Sequence, residues 1–193
     1  MILLPPLVHG GHYKSLHHTA SLQYNKIEDE NKVDIVIETL INFAIKVRQT
    51  HHEEHTLNNS DMLDFHQEMA KKFLQRDWLS LYTLVVENKI IAILYCYSYN
   101  NTIYYYQTGY DLDWKKYGPG RQILAYCVAQ AIAEGTKELD FMRGEHAYKE
   151  HWANEIKKDR CVKVAYSPYG LLLVTIYKVW DTIRRSLASF VKT

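Results

Sequence analysis

The sequence predicts an α/β (α+β) chain, a strand-rich middle bracketed by amphipathic helices, and three observations predict it. Apolar residues recur at helical spacing in two stretches before Leu79 and two more after Pro119. Between them lie three apolar runs, Leu79 to Val86, Ile90 to Ser98 and Thr102 to Thr108. Glu87-Asn88-Lys89 and Tyr99-Asn100-Asn101 separate these runs, the pattern of an antiparallel meander. The chain also holds 16 tyrosines, concentrated between Tyr82 and Tyr126, and aromatic side chains favour strands.

Taken in order, residues 1–32 read as an irregular segment with one strand near Ser21 to Ile27 and a polar run from Glu28 to Lys32. From Val33 onward, Val36, Ile37, Leu40, Ile41, Ala44 and Val47 form the inner face of a helix that fades at Thr50. A second helix starts at the Ser60-Asp61 cap, with Met62, Phe65, Met69 and Phe73 on one face and Arg76 near its end. After the meander, Gly109 and Asp111 are expected to end the third strand. A loop through Trp114 and Tyr117 leads into Gly118-Pro119-Gly120. Ile123, Leu124, Cys127, Val128, Ala131 and Ile132 then line a helix stopped by Gly135. Lys137 to Met142 reads as a short strand and Cys161 to Tyr166 as another. Ser167-Pro168 opens a long amphipathic helix through Leu172, Ile176, Val179, Ile183, Leu187 and Phe190. The expected division is residues 1–32, 33–166 and a terminal helix over 167–193, with no internal repeat.

Composition narrows the function. At 193 residues the chain has room for one domain of fair size, not two catalytic ones. With 23 Lys plus Arg against 22 Asp plus Glu, it lacks the charge for a surface devoted to nucleic acid. Cys96, Cys127 and Cys161 lie far apart with no CxxC pair, which excludes a disulfide framework and points to a reducing, cytoplasmic setting. Pro5-Pro6 interrupts the apolar start, and no stretch approaches the roughly 18 apolar residues of a spanning helix. Lys178, Arg184, Arg185 and Lys192 stand opposite the apolar stripe of the last helix. That helix suits packing against the domain or a second subunit, or a peripheral place on an anionic membrane.

The most informative segment is strand, glycine-containing loop, helix, strand. The first amides of a helix lack intrahelical acceptors and the dipole is positive there, so phosphates bind. Glycines at 118 and 120 let backbone approach a ligand closely, Pro119 fixes the start of the helix, and Arg121 adds a cation that pairs with phosphate. By itself such a loop is also an ordinary helix start.

The order Tyr105-Tyr106-Gln107-Thr108-Gly109-Tyr110-Asp111, Trp114, Tyr117-Gly118-Pro119-Gly120, Asp140-Phe141-Met142-Arg143-Gly144, Tyr148-Lys149 and Trp152 resembles the signature of GNAT-superfamily acetyltransferases. It looks most like the FemAB-like branch that includes the CelD proteins of cellulose and exopolysaccharide biosynthesis, and the likeness runs from about Val33 to about Trp152. The resemblance implies the GNAT acyl-CoA N-acyltransferase fold, a mixed central sheet flanked by helices, and acetyl-CoA or another acyl-CoA as co-substrate. It also implies that the donor's pantetheine arm pairs with the strand carrying Tyr106, Gln107 and Thr108. The pyrophosphate would then sit on Tyr117, Gly118, Pro119, Gly120, Arg121 and Gln122. Relatives often carry serine where this chain has Gly118, one hydroxyl fewer for phosphate. Members of this branch usually have two such domains, and residues 1–32 resemble the tail end of a first one.

Acyl transfer needs a proton acceptor, donors for the developing oxyanion and an acid for the departing thiolate. Asp140 alternates with Leu139 and Phe141 on its strand, which points it into the cleft or leaves it to pair with Arg143 or cap the next turn. His146 has a side chain suited to base catalysis near neutral pH, and it reads equally as a solvated loop residue. Tyr148 and Lys149 lie in the family motif, where the resemblance implies orienting the acceptor or protonating the thiolate; Lys149 reads otherwise as a surface charge. His51-His52-Glu53-Glu54-His55 puts two histidines one helical turn apart but lacks a third ligand, so no metal is expected.

The expected activity is transfer of an acyl group from acyl-CoA to an amine or hydroxyl of a small or sugar-precursor acceptor. Two other readings stand beside it. One is a non-catalytic half-domain that needs a partner. The other is transfer from aminoacyl-tRNA, favoured by nine Lys or Arg against four Asp or Glu between Lys149 and Lys192.

Overall fold

The computed structural model describes residues 21–49, 60–144, 147–158, 162 and 164–190. The chain divides into two compact units, residues 1–151 and 152–193.

In the first unit a five-stranded sheet runs β1 (Leu22–Lys26), β2 (Leu79–Val86), β3 (Lys89–Tyr99), β4 (Thr102–Tyr110) and β5 (Glu138–Asp140), in that spatial order. β1 to β4 pair antiparallel, and β4 with β5 pair parallel, so the sheet is mixed. The two hairpins close with Glu87-Asn88 and Asn100-Asn101, all four at positive φ, the conformation that matches strand twist in two-residue turns. The helices are α1 (Glu30–Gln49), α2 (Ser60–Leu74), α3 (Pro119–Ala133) and the short α4 (Ala147–Glu150).

Strand alternation sorts the core onto two faces. Leu79, Leu81, Ile93 and Tyr95 pack with Val33, Val36, Ile37 and Leu40 of α1 and Ala70 of α2. On the other face Tyr82 meets Tyr126 of α3 edge-on at 6.0 Å, and Ile123, Leu124 and Cys127 are buried. Tyr126 also stacks on Tyr24 of β1 at 4.6 Å, which ties the edge strand to α3.

Several expectations are corrected. Gly109 does not end its strand: β4 runs on to Tyr110, and glycine is there because α1 leaves no space. A Cβ at 109 would lie 2.9 Å from Leu40 Cδ1 and 3.0 Å from both Leu40 O and Phe43 Cβ. The inner face of α2 is rotated from the one expected: Phe65 is 54% exposed, whereas His66 and Ala70 are buried. Summed apolarity drew the expected stripe toward phenylalanine, while the packed face is the one that carries the histidine. Ile132 is likewise exposed, although its neighbour Ala131 in the same last turn of α3 is buried. β5 keeps only three residues of the expected 137–142 strand, since Met142 turns to φ 55. His51 to His55 and His146 lie outside the described residues, as do Cys161 and Lys163.

In the second unit Val162 and Val164 to Tyr166 are not in a strand. Apolar alternation supplies the pattern, but a strand persists only on a neighbour's edge, and no ladder partner occurs among the described residues. Helix α5 (Pro168–Phe190) starts where expected: Ser167 Oγ accepts the amide of Gly170 at 3.0 Å, and Pro168 fills a first-turn position that needs no N–H. Among the described residues no helix is long and apolar enough to cross a membrane.

Candidate active site

The site begins where β4 loses a neighbour. β4 pairs with β3 from Thr102 to Tyr110 but with β5 only over Thr102, Ile103 and Tyr104. From Tyr105 onward the β5-side edge of β4 has no strand beside it among the described residues. An edge of this kind offers alternating N–H and C=O groups to any extended chain of amides.

A bulge lies in the same stretch. Tyr95 pairs with Gln107 and Cys96 with Tyr105, so Tyr106 is one residue in excess. The extra residue turns Tyr106 and Gln107 to the same face, and both line a cavity beneath α1. Tyr105 and Thr108 point to the other face, where Tyr105 Oη and Thr108 Oγ1 are hydrogen-bonded at 2.5 Å. Burial holds the Tyr105 hydroxyl well above the ordinary tyrosine range. Gln107 Nε2 donates to Thr108 O at 3.1 Å.

Beyond β4, Asp111 Oδ1 accepts the amide of Asp113 at 3.1 Å and so caps a 3-10 helix, Leu112–Tyr117, in the segment expected as a loop. Burial alone would raise the Asp111 carboxyl, but Lys89 Nζ at 2.7 Å and the Asp113 amide hold it below its ordinary value. Gly118 ends that helix and precedes α3 at φ 61, ψ 47. Left-handed backbone favours glycine there. Pro119 has no N–H, and the amides of Arg121 and Gln122 both donate to Gly118 O. The amide of Gly120 is left as the first-turn donor of α3 with no backbone acceptor among the described residues. Gly120 lies against β4, since a Cβ there would be 3.4 Å from Tyr110 Cδ1 and 3.5 Å from Thr108 Cγ2. Gln122 braces the corner: Nε2 donates to Tyr117 O at 2.8 Å and Oε1 accepts from Tyr24 Oη at 3.3 Å. Lys115 and Lys116 lie in the last turn of the 3-10 helix, and Lys116 Nζ stands 4.9 Å from the Tyr117 ring centre.

Across the split, Asp140 ends β5 opposite Tyr104. Its Oδ1 accepts the Met142 amide at 2.6 Å, the turn-capping geometry. Lys149 Nζ donates to Phe141 O at 2.8 Å, Arg143 O at 3.1 Å and Met142 O at 3.4 Å. One ammonium thus gathers three carbonyls and fixes the loop after β5. Arg143 contributes its carbonyl to that clamp. Tyr148 packs its ring 6.3 Å from Tyr105 and 6.5 Å from Phe141, and burial raises its hydroxyl.

The cavity beneath the bulge has a volume of about 100 Å³ and is walled by Ile37, Leu40, Ile41 and Ala44 of α1. Its polar groups are His66, Tyr95, Tyr106 and Gln107. His66 Nε2 lies 3.4 Å from Tyr106 Oη, and burial lowers the histidine from its ordinary value. The sequence held one signal for it: His66 falls three residues after Leu63 and four before Ala70, on the inner face of α2.

β4 and β5 thus pair in parallel and separate after Tyr104, and β4 runs on to Tyr110 against Gly120 in the first turn of α3. Residues 14–150 match the acetyltransferase (GNAT) domain family, and the chain belongs to it. Its enzyme class is therefore acetyl transfer. The fold is similar to that of a predicted acetyltransferase from Clostridium acetobutylicum solved with acetyl-CoA, at 15% identity and a TM-score of 0.54 over 75% of this chain and 96% of that one. It is also similar to the PaiA N-acetyltransferase of Thermoplasma acidophilum, solved with coenzyme A: 10% identity, TM-score 0.50, 60% of this chain and 75% of that one. A GNAT family acetyltransferase from Staphylococcus aureus matches at 12% identity and a TM-score of 0.50, over 75% of this chain and 99% of that one. No curated protein sequence matches the chain at a significant level.

Proposed function

We propose that the chain transfers an acyl group, acetyl in the first instance, from acyl-coenzyme A to an amine or hydroxyl by direct attack. The observation that carries the reading is the unpaired edge of β4 from Tyr105 onward, ending beside the first turn of α3. The two amides of a pantetheine arm suit that edge. The backbone of Tyr106, Gln107 and Thr108 would receive them, and the pyrophosphate would rest on the corner of Tyr117, Gly118, Pro119, Gly120, Arg121 and Gln122. Within that corner Gly120 offers its amide and Arg121 its charge, while Gln122 and Gly118 hold the shape. Direct transfer is favoured because the two described cysteines, Cys96 and Cys127, are buried in the core, and burial pushes the Cys96 thiol up.

On the β5 side, Asp140 and Lys149 act by holding the loop that carries Arg143, and Tyr148 is the hydroxyl best placed to protonate the departing thiolate. His146 is a further base candidate, from the sequence. We assign the FemAB-like and CelD-like branch, a sugar or polysaccharide-precursor acceptor and a catalytic domain over residues 33–166 on the motifs Asp140 to Gly144 and Tyr148-Lys149. Calorimetric titration tests the donor: micromolar binding of acetyl-CoA with none of pantetheine is expected. Absence of binding by acetyl-CoA would refute the reading.

A further inference from the structure

We propose that Tyr106 and His66 form a proton relay for the transfer, and that the cavity under the β4 bulge receives the reactive end of an acceptor carried on an apolar stem. The proposal rests on the acyl-transfer reading above and adds to it a site on the opposite side of β4 from the loop of Asp140 to Lys149.

Tyr104 pairs with Tyr97 on the face that α1 and α2 cover, so alternation places Tyr106 on that face as well. The bulge adds Gln107 to it, opposite Tyr95, and opens the cavity beside Tyr106. The Tyr106 ring lies 5.5 Å from that of His66 and 5.4 Å from that of Tyr95. Tyr106 is 39% exposed and His66 only 5% exposed. Tyr106 is therefore the residue an acceptor can reach, and the imidazole stands behind it, its Nε2 3.4 Å from the Tyr106 oxygen.

His66 Nδ1 is buried and has no hydrogen-bond partner among the described residues. A buried polar atom left unpaired costs free energy, so its retention on a packed helix face calls for a use. It also means that nothing holds a second proton on the ring. The titratable groups around His66 among the described cavity residues are Tyr95 of β3 and Tyr106 of β4, while α1 presents Ile37, Leu40, Ile41 and Ala44. No carboxylate among these residues stabilises an imidazolium, and burial lowers the histidine accordingly. His66 thus rests neutral, able to accept one proton and quick to return it.

The step balances as follows. The acceptor nitrogen attacks the thioester carbonyl carbon and a C–N bond forms. The nitrogen becomes cationic and acidic, so a weak base suffices. Its proton passes to Tyr106 Oη while the Tyr106 hydroxyl proton passes to His66 Nε2. The C–S bond then breaks, coenzyme A leaves as thiolate and takes the Tyr148 hydroxyl proton to give the thiol, and the His66 proton passes back through Tyr106 to water, from which Tyr148 is reprotonated. Tyr106 is the catalytic residue and His66 the positioning residue behind it. The cavity, at about 100 Å³ and walled on the α1 side by aliphatic side chains, takes the nucleophilic end of an acceptor and a short apolar stem.

The test uses the full chain with acetyl-CoA and n-butylamine, following release of coenzyme A thiol. Tyr106→Phe and His66→Gln are each expected to lower kcat about 10²–10⁴-fold, the usual worth of general acid–base catalysis, while acetyl-CoA affinity stays within about twofold. The unmutated protein should lose kcat along one ionisation whose midpoint lies below pH 6.5, and NMR of its imidazole should show His66 titrating with that same midpoint, a readout that needs no variant. Variants with unchanged kcat, or a His66 titration at or above pH 6.5, overturn the relay. Protein that binds acetyl-CoA but leaves n-butylamine unacetylated overturns the acceptor assignment. Protein that fails to bind acetyl-CoA overturns the donor reading instead, so the two failures are told apart.

Discussion

Replacing Gly109 by alanine tests how α1 is seated on β4, and with it the wall of the cavity. The new Cβ would stand 2.9 Å from Leu40 Cδ1, 3.0 Å from Leu40 O and 3.0 Å from Phe43 Cβ. Carbon contacts are comfortable at about 3.5–4.0 Å, so a retreat of roughly 0.5 Å is required. Leu40 Cδ1 can swing aside, but a carbonyl oxygen and a Cβ move only with the helix backbone. Overpacking of this kind costs about 1–3 kcal/mol, offset by about 0.4–1 kcal/mol from the reduced freedom of the unfolded chain. A net loss of about 1–2 kcal/mol should lower Tm by roughly 2–8 °C in a domain of this size. Differential scanning calorimetry reads the stability. The acceptor KM should rise because Leu40 and Ile41 move, while acetyl-CoA binding on the far edge of β4 holds. An alanine variant as stable as the parent would show that α1 does not depend on this contact.

Three further outcomes are expected. Gly118→Ser should lower Tm and weaken acetyl-CoA binding in calorimetry despite adding a hydroxyl, because its backbone at φ 61 costs a non-glycine residue about 1–2 kcal/mol; tighter binding would contradict this. Lys149→Met should free the carbonyls of Phe141, Met142 and Arg143, with amide exchange there rising severalfold and a stability loss of about 1–2 kcal/mol; unchanged exchange would mean the ammonium is not the clamp. Asp111 sits below its ordinary value of 3.8, so the unfolded chain binds more protons and stability rises with pH across that window. The ion pair's contribution is then present above pH 3.8 and lost below it, and Lys89→Met should cost stability at pH 7 with a difference from the parent that shrinks toward pH 3; a constant difference would exclude the pairing.

The meander was legible because local chemistry fixes it. Asn88, Asn100 and Asn101 tolerate positive φ at the turns, and the apolar runs between them have no helical period. The corner at Gly118 to Gly120 was legible for the same reason, since glycine and proline specify backbone rather than partners. His66 was not singled out, although it sits on the inner face of α2, because its importance lies in Tyr106, 40 residues away. Lys149 was read as an acceptor-orienting group or a surface charge, and only its three carbonyl partners reveal a clamp.

The sequence alone determined the strand and helix periods, the two-residue turns and the phosphate-type corner, all set by residues within a few positions of one another. The tertiary structure decided what depends on distant neighbours: that Gly109 is a packing position, that β5 leaves β4 after Tyr104, and that one surplus residue brings Gln107 to the face that Tyr106 shares with His66. Such features arise from pairing register and from contacts between elements, which no local pattern encodes.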